Sequence, residues 1–180
     1  MSLTGIHRRA FLISVAAAPV AFAAATPRGA PRKGAEFPTF RAENLEGSER
    51  TQTDLRGRET FVVVVTSPAA ADRMTAWVRA AQARYGDRQL RRVVFLALDL
   101  SVVVPAFLVR DKARGKVPRA YWKDTFVDAH GALAEQLGVA TGSDSPFVYV
   151  LDPRGRVKAV ARGALSEETA APIWAAVAAT

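Results

Sequence analysis

Residues 61–68 read Phe-Val-Val-Val-Val-Thr-Ser-Pro, and this stretch decides the fold that the sequence predicts. Its first five residues are apolar and mostly β-branched, which is typical of a strand buried on both faces. A serine can cap a helix with its hydroxyl and a proline fits the first helical position, so we expect a helix from about Pro68. Gly86 would end that helix. Its buried stripe is formed by Met74, Trp77, Val78, Ala81 and Tyr85.

A second apolar run, residues 93–98, follows the helix. Two fully buried strands separated by a helix predict a βαβ unit, which is parallel and right-handed. Pro105 would begin the next helix, which ends at about Arg114 before Gly115. Upstream, residues 37–45 predict a first edge strand with a turn at Glu46-Gly47, and residues 53–57 a loop or single helical turn.

The last third of the chain predicts a short strand, a small helix and a closing hairpin. The expected elements are a strand at 125–127, a turn at 128–131, a helix at 132–137, strands at 147–151 and 156–161, and a helix capped by Ser166. Asp152-Pro153-Arg154-Gly155 predicts the hairpin turn, because proline presets one φ and glycine accepts a positive one. Glu167 and Glu168 suit the positive end of the last helix, while Ile173, Trp174 and Val177 would face inward.

The composition fits a single basic domain without thiol chemistry. The chain has 180 residues, is 49% hydrophobic and carries 25 Lys and Arg against 17 Asp and Glu, a net charge of +8. This balance favours acidic surfaces, anionic lipid headgroups or nucleic acid. Cysteine is absent, which excludes disulfides, thiolate nucleophiles, zinc sites with cysteine ligands and iron–sulfur clusters.

Residues 1–25 have the three parts of an export signal: a charged start, an apolar stretch and small residues for cleavage. Arg8-Arg9-Ala10-Phe11-Leu12 resembles the twin-arginine motif, and an ordinary secretory signal with a chance arginine pair is the alternative. Either way we expect a periplasmic or otherwise exported bacterial protein, which discounts nucleic acid as a partner. Residues 26–36 predict a flexible linker because they have little to bury, and residues 37–180 the folded domain.

The predicted order of elements resembles the thioredoxin fold, an α/β three-layer fold with a central mixed sheet flanked by helices. The residues that carry this resemblance are 61–67, 93–99, 145–152 and 155–157, together with the helix through Trp77. More narrowly, the chain resembles the YtfJ family of periplasmic thioredoxin-fold proteins, whose activity is not established. That resemblance rests on Phe107–Arg110, Thr125–Asp128, Val150–Lys158 and Gly163–Glu168.

The chain departs from thioredoxin-fold enzymes where their reactive cysteine stands. Ser67 to Ala71 occupy the position of the Cys-x-x-Cys motif, and Ala69 stands three residues after Thr66, where peroxiredoxins have their cysteine. An alanine side chain cannot attack a disulfide or a peroxide, so both activities are excluded. The resemblance matches Pro146 to the thioredoxin cis-proline and implies a cis Ser145–Pro146 bond. It further implies that this loop exposes backbone groups for an extended bound chain, a capacity that needs no cysteine.

Other catalytic and metal-binding arrangements are weakly supported. His130, with Asp128 and Asp124 nearby, supplies at most one strong metal ligand, so we expect no metal and no cofactor. Ser67 and His130 could suggest a hydrolase, but no Gly-x-Ser-x-Gly elbow surrounds Ser67, and the following proline indicates a capping role.

Residues 110–123 form a basic segment with six Lys and Arg against one Asp. Within it, residues 116–123 are expected to form a loop that includes Tyr121 and Trp122. Exposed aromatic rings beside cations could hold an acidic peptide, a polyanion or lipid headgroups. The alternative is a solvated helix face whose aromatic rings pack over the core.

The sequence therefore predicts an exported, redox-inactive thioredoxin-fold protein that binds another protein or a peptide. The residues predicted to bind that partner are Thr66, Ser67, Ala69, Tyr121, Trp122, Ser145 and Pro146. Two alternatives stay open: an enzyme or ligand carrier with non-thiol chemistry on the same face, and a basic peripheral protein with weak affinity for anionic membranes.

Overall fold

The structure, a computed structural model, describes residues 29, 31–98, 105–128 and 131–178. The predicted export signal, with Arg8, Arg9, Phe11 and Leu12, lies outside the described residues, as does His130. Within the described part of the chain, no helix combines the length and the apolar character needed to cross a bilayer.

The described residues form seven strands and four α-helices. The strands are β1 (Arg41–Asn44), β2 (Glu49–Thr51), β3 (Thr60–Val65), β4 (Arg91–Ala97), β5 (Thr125–Asp128), β6 (Phe147–Leu151) and β7 (Val157–Arg162). The α-helices are α1 (Ala71–Gln89), α2 (Ala106–Arg114), α3 (Ala132–Gln136) and α4 (Glu167–Ala178). Short 3-10 helices occupy Gln52–Leu55, Pro68–Ala70 and Arg119–Asp124.

The strands form one mixed sheet in the order β2-β1-β5-β4-β3-β6-β7. β3 is parallel to β4, and β4 to β5, whereas the other neighbours are antiparallel. The predicted βαβ unit and the predicted β6–β7 hairpin are both present. The hairpin turns at Asp152–Gly155, where the Gly155 N–H donates to the Asp152 carbonyl at 2.9 Å and Gly155 has a φ of +82°.

The strand β3 lies at the centre of the sheet and is buried along its whole length, as the sequence predicts. Phe61, Val63 and Val65 pack on the face that α1 and α4 cover. Val62 and Val64 pack on the opposite face, which α3 covers. This alternation gives the three-layer arrangement of helices, sheet and helix.

Strand β4 departs from the prediction of two fully buried strands. Its residues facing α1 are only half-buried, namely Arg92, Val94 and Leu96, while Val93 and Phe95 on the other face are buried. The helices therefore cover one face of this central strand incompletely.

The predicted flexible linker ends earlier than residue 36. The Gly34 N–H donates to the Val157 carbonyl at 2.8 Å, and the Val157 N–H donates to the Ala35 carbonyl at 2.9 Å. Phe37 is buried with its ring 5.6 Å from that of Tyr149. The cause is the outer edge of β7, which offers backbone partners that composition alone does not reveal.

Three smaller boundaries also differ from the sequence prediction. Gly86, with a φ of +62°, interrupts α1, and helical structure resumes as far as Gln89. Pro105 precedes α2 as its N-cap residue instead of occupying its first turn. Residues 119–124 form a 3-10 helix where we expected a loop.

The final helix begins as predicted at a serine cap. The Ser166 Oγ accepts a hydrogen bond from the Thr169 N–H at 3.2 Å, and the Thr169 Oγ1 accepts one from the Ser166 N–H at 2.9 Å. Ile173 and Val177 are buried and Trp174 is partly buried, so the predicted inward stripe is confirmed.

Replacing Tyr149 by phenylalanine should leave stability unchanged or raise it by up to about 1 kcal/mol. Burial raises the pKa of this phenol, and its hydroxyl has no hydrogen-bond partner among the described residues. Urea denaturation of Tyr149→Phe measures the effect. A loss of more than about 1 kcal/mol would show that the hydroxyl has a partner in solution.

Candidate functional site

The turn after β3, residues 66–71, carries no reactive side chain. The Ser67 Oγ accepts a hydrogen bond from the Ala69 N–H at 3.2 Å, and Pro68 fills the first helical position. Ala69 is exposed and Ala70 is buried against the α1 side of the sheet. Ser67 therefore acts as a cap, and the alanines offer no nucleophile.

The loop at residues 140–146, called the 140–146 loop below, is fastened to the end of β3 by Thr66. The buried Thr66 Oγ1 donates to the Ala140 carbonyl at 2.9 Å and accepts from the Ser143 N–H at 3.1 Å. The Thr66 carbonyl accepts from the Gly142 N–H at 3.2 Å. The hydroxyl and carbonyl of Thr66 are thus used in internal hydrogen bonds, and the buried side chain is not accessible to a binding partner.

Arg73 in the first turn of α1 provides a second attachment for this loop. Its Nη1 lies 2.8 Å from the Asp144 Oδ2 and donates to the Asp144 carbonyl at 2.6 Å. The hydrogen bond from Arg73, helped by its charge, lowers the pKa of the Asp144 carboxyl. The pair is exposed to solvent, so it orients the loop more than it stabilises the fold.

The Asp144 carboxyl should titrate below its ordinary value of 3.8, and Arg73→Gln should move its pKa back up. Because the pKa is lowered in the folded protein, the attachment persists above the ordinary value and is lost as the pH falls through the folded value. Carboxyl carbon chemical shifts followed by NMR from pH 7 to pH 2 measure both pKa values. Equal values in the two proteins would refute the Arg73 contact.

The predicted cis bond before Pro146 is wrong: the Ser145–Pro146 peptide bond is trans. Pro146 is buried, and its carbonyl accepts from the Gly163 N–H at 3.0 Å. The antiparallel pairing of β3 with β6 reaches Val64 and Phe147, so the sheet still links the turn to this loop. The loop therefore has a trans bond before Pro146 and is hydrogen-bonded to Thr66, Arg73 and Gly163.

The backbone groups of Ser145 are also occupied by a side chain of the same loop. The Ser145 N–H donates to the Ser143 Oγ at 3.2 Å, and the Ser143 hydroxyl donates to the Ser145 carbonyl at 3.2 Å. They belong to the loop whose backbone groups, by the resemblance to thioredoxins, are expected to pair with an extended bound chain. In this structure the Ser143 hydroxyl bonds to both backbone groups of Ser145, so these groups are not available to pair with a bound chain.

Tyr121 and Trp122 follow a different part of the sheet from the turn residues. They precede β5, which begins beside the middle of β4, whereas Thr66 follows the carboxyl end of the parallel β3. The structure therefore divides the predicted binding residues into two groups: Thr66, Ser67, Ala69, Ser145 and Pro146 on one side, and Tyr121 and Trp122 on the other.

Trp122 is a packing residue. Its Nε1 donates to the Val117 carbonyl at 2.8 Å, and its ring packs with Leu45 and Val127. The guanidinium groups of Arg114 and Arg119 lie 5.3 and 5.9 Å from the ring centre. The alternative in which the aromatic rings pack over the core therefore holds for this residue.

Tyr121 instead lines an open groove of about 560 Å³ beside α1, called the α1 groove below. Its hydroxyl donates to the Gln82 Oε1 at 3.0 Å, which fixes the ring against the helix. The groove is lined by Asp72, Met74, Thr75, Val78, Arg79, Gln82, Arg92, Val94, Leu96, Lys116, Val117, Pro118, Tyr121, Asp124 and Thr125. Its floor is the half-covered face of β4, which the apolar sequence of that strand predicts to be part of the core.

The charges around the α1 groove are mixed, with basic residues in the majority. Arg79, Arg92 and Lys116 face Asp72 and Asp124. Arg92 Nη1 donates to the Gly86 carbonyl at 3.1 Å, and burial lowers its pKa. The carboxylate of Asp124 lies 3.6 Å from Arg91 Nε, which neutralises part of its charge. The remaining balance favours a partner with acidic groups beside apolar ones.

Asp124 and Asp128, the carboxylates near His130 in the sequence, have structural roles. The Asp128 Oδ2 accepts from the Leu133 N–H at 2.7 Å at the start of α3, and Asp124 pairs with Arg91. Within residues 29, 31–98, 105–128 and 131–178, no group of three or more histidine, aspartate or glutamate residues could hold a metal ion.

Comparison with solved structures shows that this chain has a thioredoxin-like fold. It is similar to a protein described as the thiol:disulfide interchange protein DsbE from Chlorobium tepidum, with 20% identity, a TM-score of 0.61 and coverage of 82% of this chain and 99% of the other. It is also similar to the thioredoxin domain of a thiol-disulfide oxidoreductase from Bacteroides vulgatus, with 13% identity, a TM-score of 0.59 and coverage of 81% and 98%.

A third similar structure is the exposed lipoprotein thioredoxin of Streptococcus pneumoniae, with 13% identity, a TM-score of 0.55 and coverage of 79% and 100%. No protein-family model matches the chain, and no curated protein is significantly similar to it in sequence. Since the chain has no cysteine, it has this fold without the thiols of thiol-disulfide chemistry.

Proposed function

We propose that this chain is an exported, redox-inactive thioredoxin-fold protein of the YtfJ type, and that it binds a segment of another protein in the α1 groove. The observation that carries this proposal is the open groove over the half-covered face of β4. A fold without its reactive side chain but with such a groove is suited to recognition rather than catalysis.

The shape and chemistry of the α1 groove favour a protein segment. Val94 and Leu96 form an apolar floor, and Met74 and Val78 form an apolar wall on α1. A groove of this kind accepts the apolar face of a peptide, whose alternate polar side chains reach the rim. Arg79 at the exposed rim would favour acidic side chains in the partner.

The α1 groove is a better candidate than the 140–146 loop, which the sequence favoured. At that loop, Ser143 already takes both backbone groups of Ser145. A bound chain would first have to displace two internal hydrogen bonds, whereas the groove requires no such rearrangement. Export is supported by the predicted signal, and one similar structure is named an exposed lipoprotein.

A charge-reversal pair tests the proposed binding in extracts of the organism's own envelope. Arg79→Glu/Lys116→Glu alters the α1 groove, while Lys33→Glu/Arg154→Glu makes the same change in net charge at exposed positions near the β6–β7 turn. We expect one reproducible partner in quantitative mass spectrometry, lost with the groove pair by at least about tenfold and retained with the control pair. No reproducible partner, or equal loss with both pairs, would refute the proposal.

A small-molecule carrier is the second candidate, because about 560 Å³ lies in the size range of small-ligand sites. Native mass spectrometry of protein purified from the organism separates the two candidates. A bound small molecule of constant mass that is absent from Val78→Asp would favour a carrier over a protein-binding factor.

A further inference from the structure

The helix α2 exposes two large apolar side chains. Phe107 and Leu108, in its first turn, are 52% and 51% exposed, and they are the exposed large apolar residues of the described part of the chain. On the opposite side of the same helix, Val109 and Ala113 pack against the cluster that contains Trp122. The helix is therefore anchored by one face and presents an apolar tip on the other.

Cations without ion-pair partners accompany this apolar tip. Lys112 is exposed on the next turn of α2, and Lys116, Arg119 and Lys123 are exposed in the segment that follows. None of these four has an ion pair among the described residues. Asp111 is the one acidic residue of the segment, and its carboxylate lies 2.9 Å from Arg114 Nη1, which neutralises it. The stretch from α2 to Lys123 therefore carries both exposed apolar and exposed cationic side chains.

We propose that α2 and the segment to Lys123 form a contact surface for an anionic lipid bilayer. Phe107 and Leu108 enter the headgroup region, while Lys112 and Arg119 contact lipid phosphates. Charge complementarity selects anionic over zwitterionic lipid. A protein partner is less well matched, because a stable protein interface buries about 800 Å² on each side and two apolar side chains supply little of it.

The four residues changed in the lipid-binding variants lie outside the α1 groove. Phe107, Leu108, Lys112 and Arg119 do not line that groove, whereas Lys116 does. Lys116 is therefore left unchanged in the variants below. Loss of lipid binding and loss of a protein partner can then be measured independently.

Vesicle sedimentation of the chain from Thr26 onward tests the proposal, since this chain contains all the described strands and helices. We expect binding to phosphatidylcholine vesicles with 30% phosphatidylglycerol at low salt, and none to pure phosphatidylcholine. Raising the salt to about 0.5 M should release the protein. Each removed cation should lower the partition coefficient about fivefold, so Lys112→Gln/Arg119→Gln should lower it by about 25-fold.

The matched control is Lys33→Gln/Arg154→Gln, which removes the same charge near the β6–β7 turn. It should retain most of the binding, while Phe107→Ser/Leu108→Ser should lose it even at low salt. No binding to the anionic vesicles, or an equal loss with the control pair, would overturn the proposal.

The absence of cysteine allows a direct measurement of insertion. Leu108→Cys places a single label on α2, and Ala175→Cys places one on the exposed face of α4. A polarity-sensitive fluorophore should shift to the blue with anionic vesicles at the α2 position and stay unshifted at the α4 position. A shift at both positions or at neither would contradict insertion through α2.

Discussion

Trp77→Ala should lower the free energy of unfolding by about 3–5 kcal/mol, a large part of the stability of a domain of this size. Trp77 is fully buried, and its ring centre lies 5.7 Å from that of Trp174 and 6.3 Å from that of Phe61. Its Nε1 donates to the Gly163 carbonyl at 2.9 Å. One side chain therefore connects α1 to α4, β3 and the end of β7.

Urea denaturation measures the change, and Trp77→Phe is its control. Phenylalanine keeps most of the apolar contact but loses the indole donor, so we expect a smaller loss of about 1–2 kcal/mol. If alanine and phenylalanine were equally destabilising, the hydrogen bond to Gly163 would dominate and the aromatic packing would contribute little.

The second large effect is the appearance of thiol reactivity when cysteines are placed in the turn after β3. Ser67 occupies the N-cap position before Pro68–Ala70, and Ala70 is buried three residues later. In Ser67→Cys/Ala70→Cys the first thiol lies at a helix N-terminus within a Cys-x-x-Cys motif, which lowers a thiol pKa below its ordinary value of about 8.5.

We expect this thiol to react with a chromogenic disulfide at pH 7 about tenfold faster than the thiol of Ala175→Cys on exposed α4. After prior reduction, the doubly substituted chain should also reduce an insulin disulfide while its own two thiols are oxidised to a disulfide, which the parent chain cannot do without cysteine. Equal reaction rates at the two positions would contradict this prediction. They would show that placing cysteines in this turn is not enough to lower the pKa of the thiol at position 67.

The sequence predicted the parts of the fold that depend on local chemistry. The unbroken apolar run correctly predicted the position of β3. Pro153 and Gly155 predicted the hairpin turn at Asp152–Gly155, and Ser166 predicted the start of α4. These signals succeed because a strand period, a turn and a cap each involve residues adjacent in the chain.

The candidate site was harder to predict because it depends on contacts between distant segments. The 140–146 loop, which contains the trans Ser145–Pro146 bond, is held by hydrogen bonds to Thr66, a residue 74 to 77 positions earlier in the chain. Periodicity also cannot show that the helices leave one face of β4 half-covered. An unbroken apolar strand such as β4 gives the same sequence pattern whether its second face is covered or open.

The basic aromatic segment illustrates the same limit. Tyr121 and Trp122 are neighbours in sequence and share one composition signal, but Tyr121 lines the α1 groove whereas Trp122 packs beneath α2. The 3-10 helix at Arg119–Asp124 turns their side chains in different directions. Only the packing of that helix against α1 and α2 distinguishes the groove-lining Tyr121 from the packing residue Trp122.

The most direct test of the central claim compares photocrosslinking from three positions of the native chain in the organism's envelope. A photoreactive side chain replaces Thr75 in the α1 groove, Ala69 at the exposed turn, or Ala76 on α1 outside the groove lining. The account predicts one partner crosslinked strongly from Thr75 and at background level from Ala69 and Ala76. Crosslinking that is strongest at Ala69, or equal at all three positions, would contradict it.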